Sequence, residues 1–174
     1  GVHDLYAELN RRMTMLPMLL LALLATQAPI AATDLSTATP ESTMTAAGTF
    51  DVKMIPQPAD GEAAGPFGRM LLDKQYHGAL TAVSHGQMMA FQSATEGSAG
   101  YVAMEQVTGT LDGRHGSFVL QHEGLMTRGT PTRLHVTVVP DSGTDELAGL
   151  AGELDIIFAK DGHRYELRYT LDRP

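Results

Sequence analysis

The sequence predicts an all-β protein with an antiparallel sheet of about eight strands, and three observations support this prediction. Short runs in which apolar and polar residues alternate recur from Ala46 onward. Turn residues separate these runs, in keeping with 18 glycines and nine prolines in 174 residues. No segment after residue 46 carries a sustained apolar stripe of helical period. Helical crossovers between parallel strands are therefore not expected.

The composition fits one globular domain and excludes several kinds of chemistry. Hydrophobic residues make up 43% of the chain, which is enough to build a core. The formal net charge is −8 and no cluster of Lys or Arg occurs. A nucleic-acid partner is not expected, because phosphates require a basic face. The absence of Cys excludes disulfides, thiolate metal sites and cysteine nucleophiles.

Residues 11–32 have the three-part layout of a secretory signal peptide. Two arginines are followed by an apolar stretch at 15–25, and the last residues before the predicted cleavage after Ala32 are mostly small. The apolar stretch is shorter than the roughly 20 residues that span a membrane, and Pro17 interrupts it. We therefore expect an exported protein, periplasmic or extracellular, without a stable membrane span after cleavage. A permanent anchor is the alternative.

This layout divides the chain into three parts. Residues 1–32 form an upstream extension and the signal peptide, and residues 33–45 are a Ser/Thr-rich flexible tether. Residues 46–174 form the β domain. The expected strands are 48–54, 69–80, 87–94, 101–111, 116–127, 132–139, 152–159 and 163–172.

The breaks between these strands indicate how the sheet is connected. The segments LDGRHG and KDG are typical of tight hairpin turns, since glycine supplies the positive φ that such turns need. SHG at 84–86 is predicted to separate the second strand from the third. An antiparallel sheet must protect its edges, and closure into a barrel removes them. Periodicity alone leaves both a barrel and a sandwich open.

Several glycine-rich blocks resemble a bacterial family of domains of unknown function. They lie at 101–124 and 137–158, and GTFDV at 48–52, YHGALTAVSHGQMM at 76–89 and GHRYELRYTL at 162–171 fit the same pattern. Members of that family are small closed barrels similar to plant allene oxide cyclase. The resemblance implies an allene-oxide-cyclase-like barrel of about eight antiparallel strands over about residues 46–172.

The resemblance implies no activity and no cofactor, because fold does not determine function. Two features depart from the family pattern. The family usually has Gly where this chain has Asp145, so the loop conformation is expected to differ there. An export signal is also not a constant feature of the family.

Glu105 and His122 are the candidates for proton transfer. If Glu105 points inward, desolvation would raise its pKa and suit it to general acid or base catalysis. A solvated exterior Glu is the alternative, since Glu is mostly exposed. His122 shares a strand face with Phe118 and Leu120, so it is expected to point inward. It could be a hydrogen-bonded core residue, a ligand contact or acid–base group, or a metal ligand.

Tyrosines complete the predicted ligand contacts. Tyr165 and Tyr169 lie on the apolar face of the last strand and are expected to line the barrel or its mouth. The opposite, charged face is a solvated exterior or a subunit interface, which leaves a homo-oligomer open. The histidines lack the HxH, HxxxH and HExxH spacings, so no metal site is expected. The candidate ligand-binding residues are Tyr101, Glu105, His122, Tyr165 and Tyr169.

Three functions of different classes fit these observations. The first is a binding module that holds a small, largely apolar molecule in the barrel. The second is an isomerase or cyclase on a hydrophobic substrate, with Glu105 or His122 moving a proton. The third is a structural or assembly protein with a filled barrel. The interior volume and the directions of Glu105 and His122 discriminate among them.

Overall fold

Eight antiparallel strands, connected in chain order, close into a barrel. A computed structural model describes residues 42–58, 61, 65–160 and 162–171. The last strand pairs with the first, which leaves no open edge at that position. The predicted all-β class and closed antiparallel barrel are confirmed. The strands are β1 Met44–Pro56, β2 Gly68–Gly78, β3 Leu80–Gln92, β4 Ala99–Leu111, β5 Arg114–Thr127, β6 Thr130–Val138, β7 Leu150–Ala159 and β8 Gly162–Leu171.

The N-terminal boundary of the barrel differs from the prediction. β1 begins at Met44, so it includes the last two residues of the segment predicted to be a tether. The remainder of that tether and the predicted signal peptide lie outside the described residues. Export therefore stays a prediction. Within the described part of the chain, no helix has the length and hydropathy needed to cross a membrane.

The turn between β2 and β3 lies at Gly78 and Ala79, and the prediction of a break at SHG was wrong. Gly78 has φ of 107°, a conformation that glycine adopts readily. SHG lies in the middle of β3, where Gly86 is opposite Glu105. A Cβ on Gly86 would lie 2.8 Å from the carbonyl oxygen of Met104. Gly86 thus allows two strands to approach closely. In the sequence, a glycine in this role looks the same as a glycine in a turn.

The hairpin turn predicted at LDGRHG agrees with the structure. Asp112 and Gly113 form the two-residue connection between β4 and β5, with φ of 46° and 82°, as expected for a hairpin turn with positive φ at both positions. Between β7 and β8, Ala159 pairs with Gly162, while Asp161 of the predicted KDG turn lies outside the described residues. At Asp145, where a different loop conformation was expected, φ is 53°, in the left-handed region that glycine favours.

One end of the barrel is filled by large side chains. The hydroxyl of Tyr165 accepts a hydrogen bond of 2.8 Å from the amide of Leu80. The hydroxyl of Tyr169 donates one of 2.6 Å to Asp112. Leu147, in a short 3-10 helix at Asp145–Leu147, is also buried here. We call this the closed end.

The opposite end is less tightly joined. Within the described ranges, β6 and β7 pair in register only at Thr137 and Glu153, near the closed end. Every other neighbouring pair of strands is in register over at least seven residue pairs. β6 and β7 therefore separate toward the opposite end, which we call the open end.

Candidate functional site

Glu105 lies in the barrel interior with none of its surface exposed. Its Oε1 accepts hydrogen bonds from the hydroxyls of Ser84 (2.5 Å) and Tyr76 (2.8 Å). Its Oε2 accepts a hydrogen bond of 2.6 Å from Lys74 Nζ and lies 2.9 Å from His122 Nε2. The solvated exterior orientation considered for this residue is therefore wrong. We call these five residues the Glu105 cluster.

Strand register brings the Glu105 cluster together. Lys74 and Tyr76 are two residues apart on β2, so both side chains point to the same face. Lys74 pairs with Ser84 on β3, and Glu105 and His122 lie at inward positions on β4 and β5. Four consecutive strands thus each contribute an inward polar side chain at the same level of the barrel.

The neighbours of Glu105 reverse the expected shift of its pKa. Burial alone would raise the pKa of this carboxyl, but the close imidazole of His122 and the ammonium group of Lys74 lower it well below its usual range. The prediction of a raised pKa was wrong because it left out these partners. The carboxylate is ionised at neutral pH and its oxygens are fully engaged. It is accordingly a poor general base.

The pKa values of His122 and Tyr76 both shift in the direction that favours the uncharged side chain. Burial lowers the pKa of His122 and the positive charge of Lys74 lowers it further, although Glu105 opposes both effects. Burial and the negative charge of Glu105 raise the pKa of Tyr76 well above its ordinary value. Near neutral pH the imidazole is thus mostly uncharged and the phenol keeps its proton. The inward orientation predicted for His122 is confirmed.

Two donors of the Glu105 cluster retain hydrogen-bonding capacity. His122 Nε2 is at ion-pair distance from Glu105 but lacks the angular geometry of a hydrogen bond, so it has no directional partner. Lys74 Nζ carries three hydrogens. Within the described residues it donates to Glu105 and, at 3.4 Å, to Tyr76. Its third N–H has no hydrogen-bond acceptor among these residues, although Nζ also lies 5.0 Å from the centroid of the Phe50 ring.

Both donors line a cavity of about 90 Å³ inside the open end. All eight strands contribute to its wall, which is predominantly apolar. Its basic residues are Lys74, His122, Arg133 and His163, and none of the described acidic side chains lines it. The apolar lining is Phe50, Val52, Met54, Leu72, Met88, Tyr101, Leu125, Pro131, Leu134, Ile156 and Phe158.

Larger depressions occur on the outside of the barrel. Two grooves of about 490 and 570 Å³ lie over β2–β5 and are lined mostly by outward side chains such as Leu71, Gln87 and Met104. They lie on the outer surface, whereas the smaller cavity opens at the barrel end and reaches inward to the buried side chains of Leu72, Lys74 and His122. This inner cavity is therefore the candidate site. Across the described residues, no group of three or more His, Asp or Glu is arranged to hold a metal ion.

The residues predicted as ligand contacts separate into two groups. Tyr101 and His122 line the cavity, and Glu105 lies behind it, bonded to the cavity residue Lys74. Tyr165 and Tyr169 are buried at the closed end instead. Burial, followed by the hydrogen bond to Asp112, raises the pKa of Tyr169 to about 12. The two tyrosines are core residues away from the cavity.

Comparison with known proteins places the chain in a family. Residues 46–169 match a family described as protein of unknown function (DUF3224). The chain belongs to the DUF3224 family. A DUF3224 protein of unknown function from Shewanella oneidensis MR-1, known from a crystal structure, is 47% identical with a TM-score of 0.71. The match covers 76% of this chain and 100% of that one. No protein of curated function matches.

The sequence resemblance to a bacterial family of unknown function is thus confirmed. This DUF3224 chain has three cluster residues that sequence reasoning missed. Lys74 and Tyr76 share the apolar face of β2 with Met70 and Leu72, and a lysine at such a position was a usable signal. Ser84 was missed because SHG was assigned to a turn.

The cluster predicts that acid destabilises this DUF3224 barrel. The folded pKa of His122 lies below the unfolded value of about 6.5, so its contribution is lost as pH falls below that value. The lowered pKa of Glu105 adds a further loss below about pH 4.3. The free energy of unfolding in urea should decrease from pH 7.5 to pH 5.

The matched control for this titration is a histidine on the outside of the barrel. His122→Gln should flatten the pH dependence between pH 7.5 and pH 5, whereas His115→Gln, an exposed substitution, should leave it unchanged. Equal slopes for His122→Gln and the unmodified chain would contradict the assignment.

Proposed function

We propose that this DUF3224 protein binds a small, largely apolar molecule in the open end of the barrel. The molecule presents an oxygen acceptor to Lys74 and His122. The observation that carries the proposal is the convergence of these two buried donors, each with spare hydrogen-bonding capacity, on a predominantly apolar cavity. A ligand oxygen there would remove the energetic penalty of an unsatisfied buried donor.

The dimensions of the cavity support a modest ligand. About 90 Å³ accommodates a few heavy atoms of an apolar chain. A longer molecule would extend to the rim, where Phe158 is 43% exposed. Each methylene group buried there contributes about 0.8 kcal/mol. Affinity should therefore rise with chain length until the cavity and rim are covered.

The other two functions receive less support. Proton transfer by Glu105 is disfavoured because its carboxylate is fully engaged and its pKa is lowered. A filled, purely structural barrel is disfavoured because the open end keeps a cavity beside its buried side chains, among them Met70, Leu72 and Met88. We further propose that binding takes place after export, on the signal-peptide layout of residues 11–32.

The test uses n-alkanols and n-alkanoic acids of four to eight carbons, titrated into the purified protein by calorimetry. Native mass spectrometry of the same preparation would look for a copurified molecule. We expect binding that strengthens with chain length, since the added methylenes enter apolar surroundings. Comparison of alcohol with acid at equal length shows whether the acceptor is neutral or anionic.

Two adjacent isoleucines give a matched pair of variants. Ile156 is half-buried and lines the cavity, whereas Ile157 is 48% exposed. Ile156→Trp should fill the cavity and weaken binding at least tenfold, and Ile157→Trp should leave it within about twofold. Unchanged binding by Ile156→Trp would place the ligand elsewhere. Failure of every probe to bind, with no copurified molecule, would overturn the proposal.

A further inference from the structure

The exposed apolar side chains of the barrel are concentrated on one part of its outer surface. Ten large hydrophobic side chains of the described residues are exposed, and seven of them cluster on the outside of β2–β5. Soluble monomers seldom expose large contiguous apolar patches without a use for them. We call this cluster the apolar face. Its members are Phe67, Leu71, Met89, Phe91, Val102, Met104 and Leu125.

The strand register arranges the apolar face in rows that run across the sheet. One row reads Arg69, Met89, Val102 and Glu123 from β2 to β5. It has an arginine at one end, a glutamate at the other and two apolar residues between them.

The next row toward the open end places Phe91, Gly100 and Leu125 side by side. Phe67 lies at the β2 end of this row, with its ring centroid 6.4 Å from that of Phe91. The row therefore has a large aromatic pair on its β2–β3 side. On the β4 side it has a glycine, with Leu125 beyond it.

We propose that the apolar face binds a second copy of this chain about a two-fold axis that runs parallel to the strands, between β3 and β4. This axis places β2 against β5 of the partner subunit and β3 against the partner's β4. The contact is isologous, so the same residues serve both copies. The strands of the two sheets stay aligned, which is a common arrangement for sheets packed face to face.

The first row is complementary in charge under this exchange. Arg69 faces Glu123 of the partner subunit, and Met89 faces the partner's Val102. Within one subunit, the Oε1 of Glu123 contacts Arg133. Its second oxygen can accept a hydrogen bond from the opposing arginine. An axis perpendicular to the strands would instead place Arg69 opposite the partner's Arg69. Repulsion between the two positive charges disfavours that arrangement.

The second row is complementary in shape under the same exchange. A groove of about 300 Å³ lies over Gly100, with Phe91 on one side and Leu125 on the other. The exchange places Phe91 of one subunit over the partner's Gly100, and Phe67 against the partner's Leu125. Both rows are matched by one operation, and this self-complementarity favours a second copy over an unrelated protein as the occupant.

The test is the mass of the purified protein in solution, measured by sedimentation velocity from 1 to 100 μM. We expect twice the subunit mass at the higher concentrations. Val102→Asp, at the centre of the apolar face, should give a monomer. Ile157→Asp is the matched control, since Ile157 is 48% exposed but lies on β7, away from the face. It should leave the dimer intact.

Charge exchange tests the axis itself. Arg69→Glu should weaken the dimer at least tenfold, and adding Glu123→Arg should restore most of the association. Circular dichroism confirms that each variant is folded. A wild-type monomer at 100 μM, or a dimer that Val102→Asp leaves unchanged, would overturn the proposal. If Arg69→Glu weakens association but the double variant does not recover it, the two-fold pairing of these rows is wrong.

Discussion

Replacement of Glu105 by glutamine is expected to destabilise the barrel by about 3–5 kcal/mol, because it leaves the ammonium group of Lys74 buried without a counter-charge. The Lys74 side chain is only 5% exposed, and its Nζ lies 2.6 Å from the carboxylate. Glutamine keeps the volume of the side chain and an oxygen that can accept from Ser84 and Tyr76. Loss of negative charge is therefore the main change.

A double variant tests whether the instability comes from leaving one charge of the Lys74–Glu105 pair buried without the other. Lys74→Met alone leaves the carboxylate of Glu105 without its counter-charge. It should lower the free energy of unfolding by a similar amount, although Ser84, Tyr76 and His122 still surround that carboxylate. Lys74→Met combined with Glu105→Gln removes both charges and should be markedly more stable than either single variant. Urea unfolding of all four proteins at pH 7 measures the coupling between the two residues.

The control is an ion pair on the barrel surface. Arg168 and Asp155 are in contact, and both side chains are substantially exposed. Asp155→Asn should change the free energy of unfolding by no more than about 1 kcal/mol. If Glu105→Gln costs no more than Asp155→Asn, Glu105 does not act as the buried counter-charge of Lys74.

Alternation with a period of two was enough to predict the all-β class, because it reports which residues face the core, whereas the closed barrel was predicted from the resemblance to the family. The same pattern singled out Glu105 and His122, and both side chains are buried in the barrel. It failed for Ser84, because a glycine within a strand and a glycine in a turn look alike in sequence. The direction of the pKa shift of Glu105 also could not be predicted, because it depends on His122 and Lys74, which only the strand register brings to the carboxylate.

Alternation also does not show where along the barrel axis a residue lies. Tyr165 and Tyr169 point inward as expected, yet they pack the closed end. Tyr101 also comes from a strand with an inward-facing pattern and lines the cavity at the opposite end. Register and strand direction decide between these ends, and both depend on contacts between distant parts of the chain.

Gly48→Ala is expected to destabilise the barrel by at least about 3 kcal/mol, because the added methyl group has no space. Gly48 lies between Gly78 on β2 and Tyr165 on β8, at the strand pairing that closes the barrel. A Cβ at this position would overlap the carbonyl oxygen of His77 and lie 2.7 Å from the Tyr165 hydroxyl.

Neither neighbour of Gly48 can move away at low cost. The Tyr165 hydroxyl accepts the 2.8 Å hydrogen bond from the Leu80 amide, so a shift of the ring would leave that buried donor unsatisfied. The His77 carbonyl belongs to β2, directly before the turn into β3. Strand separation would therefore propagate to the turn. Thermal and urea unfolding measure the loss, with Ala47→Ser on the exposed neighbouring position as the control, expected within about 0.5 kcal/mol. Similar stability for Gly48→Ala and Ala47→Ser would show that β1 can shift relative to β2 and β8, and that the close approach at Gly48 does not hold the barrel closed.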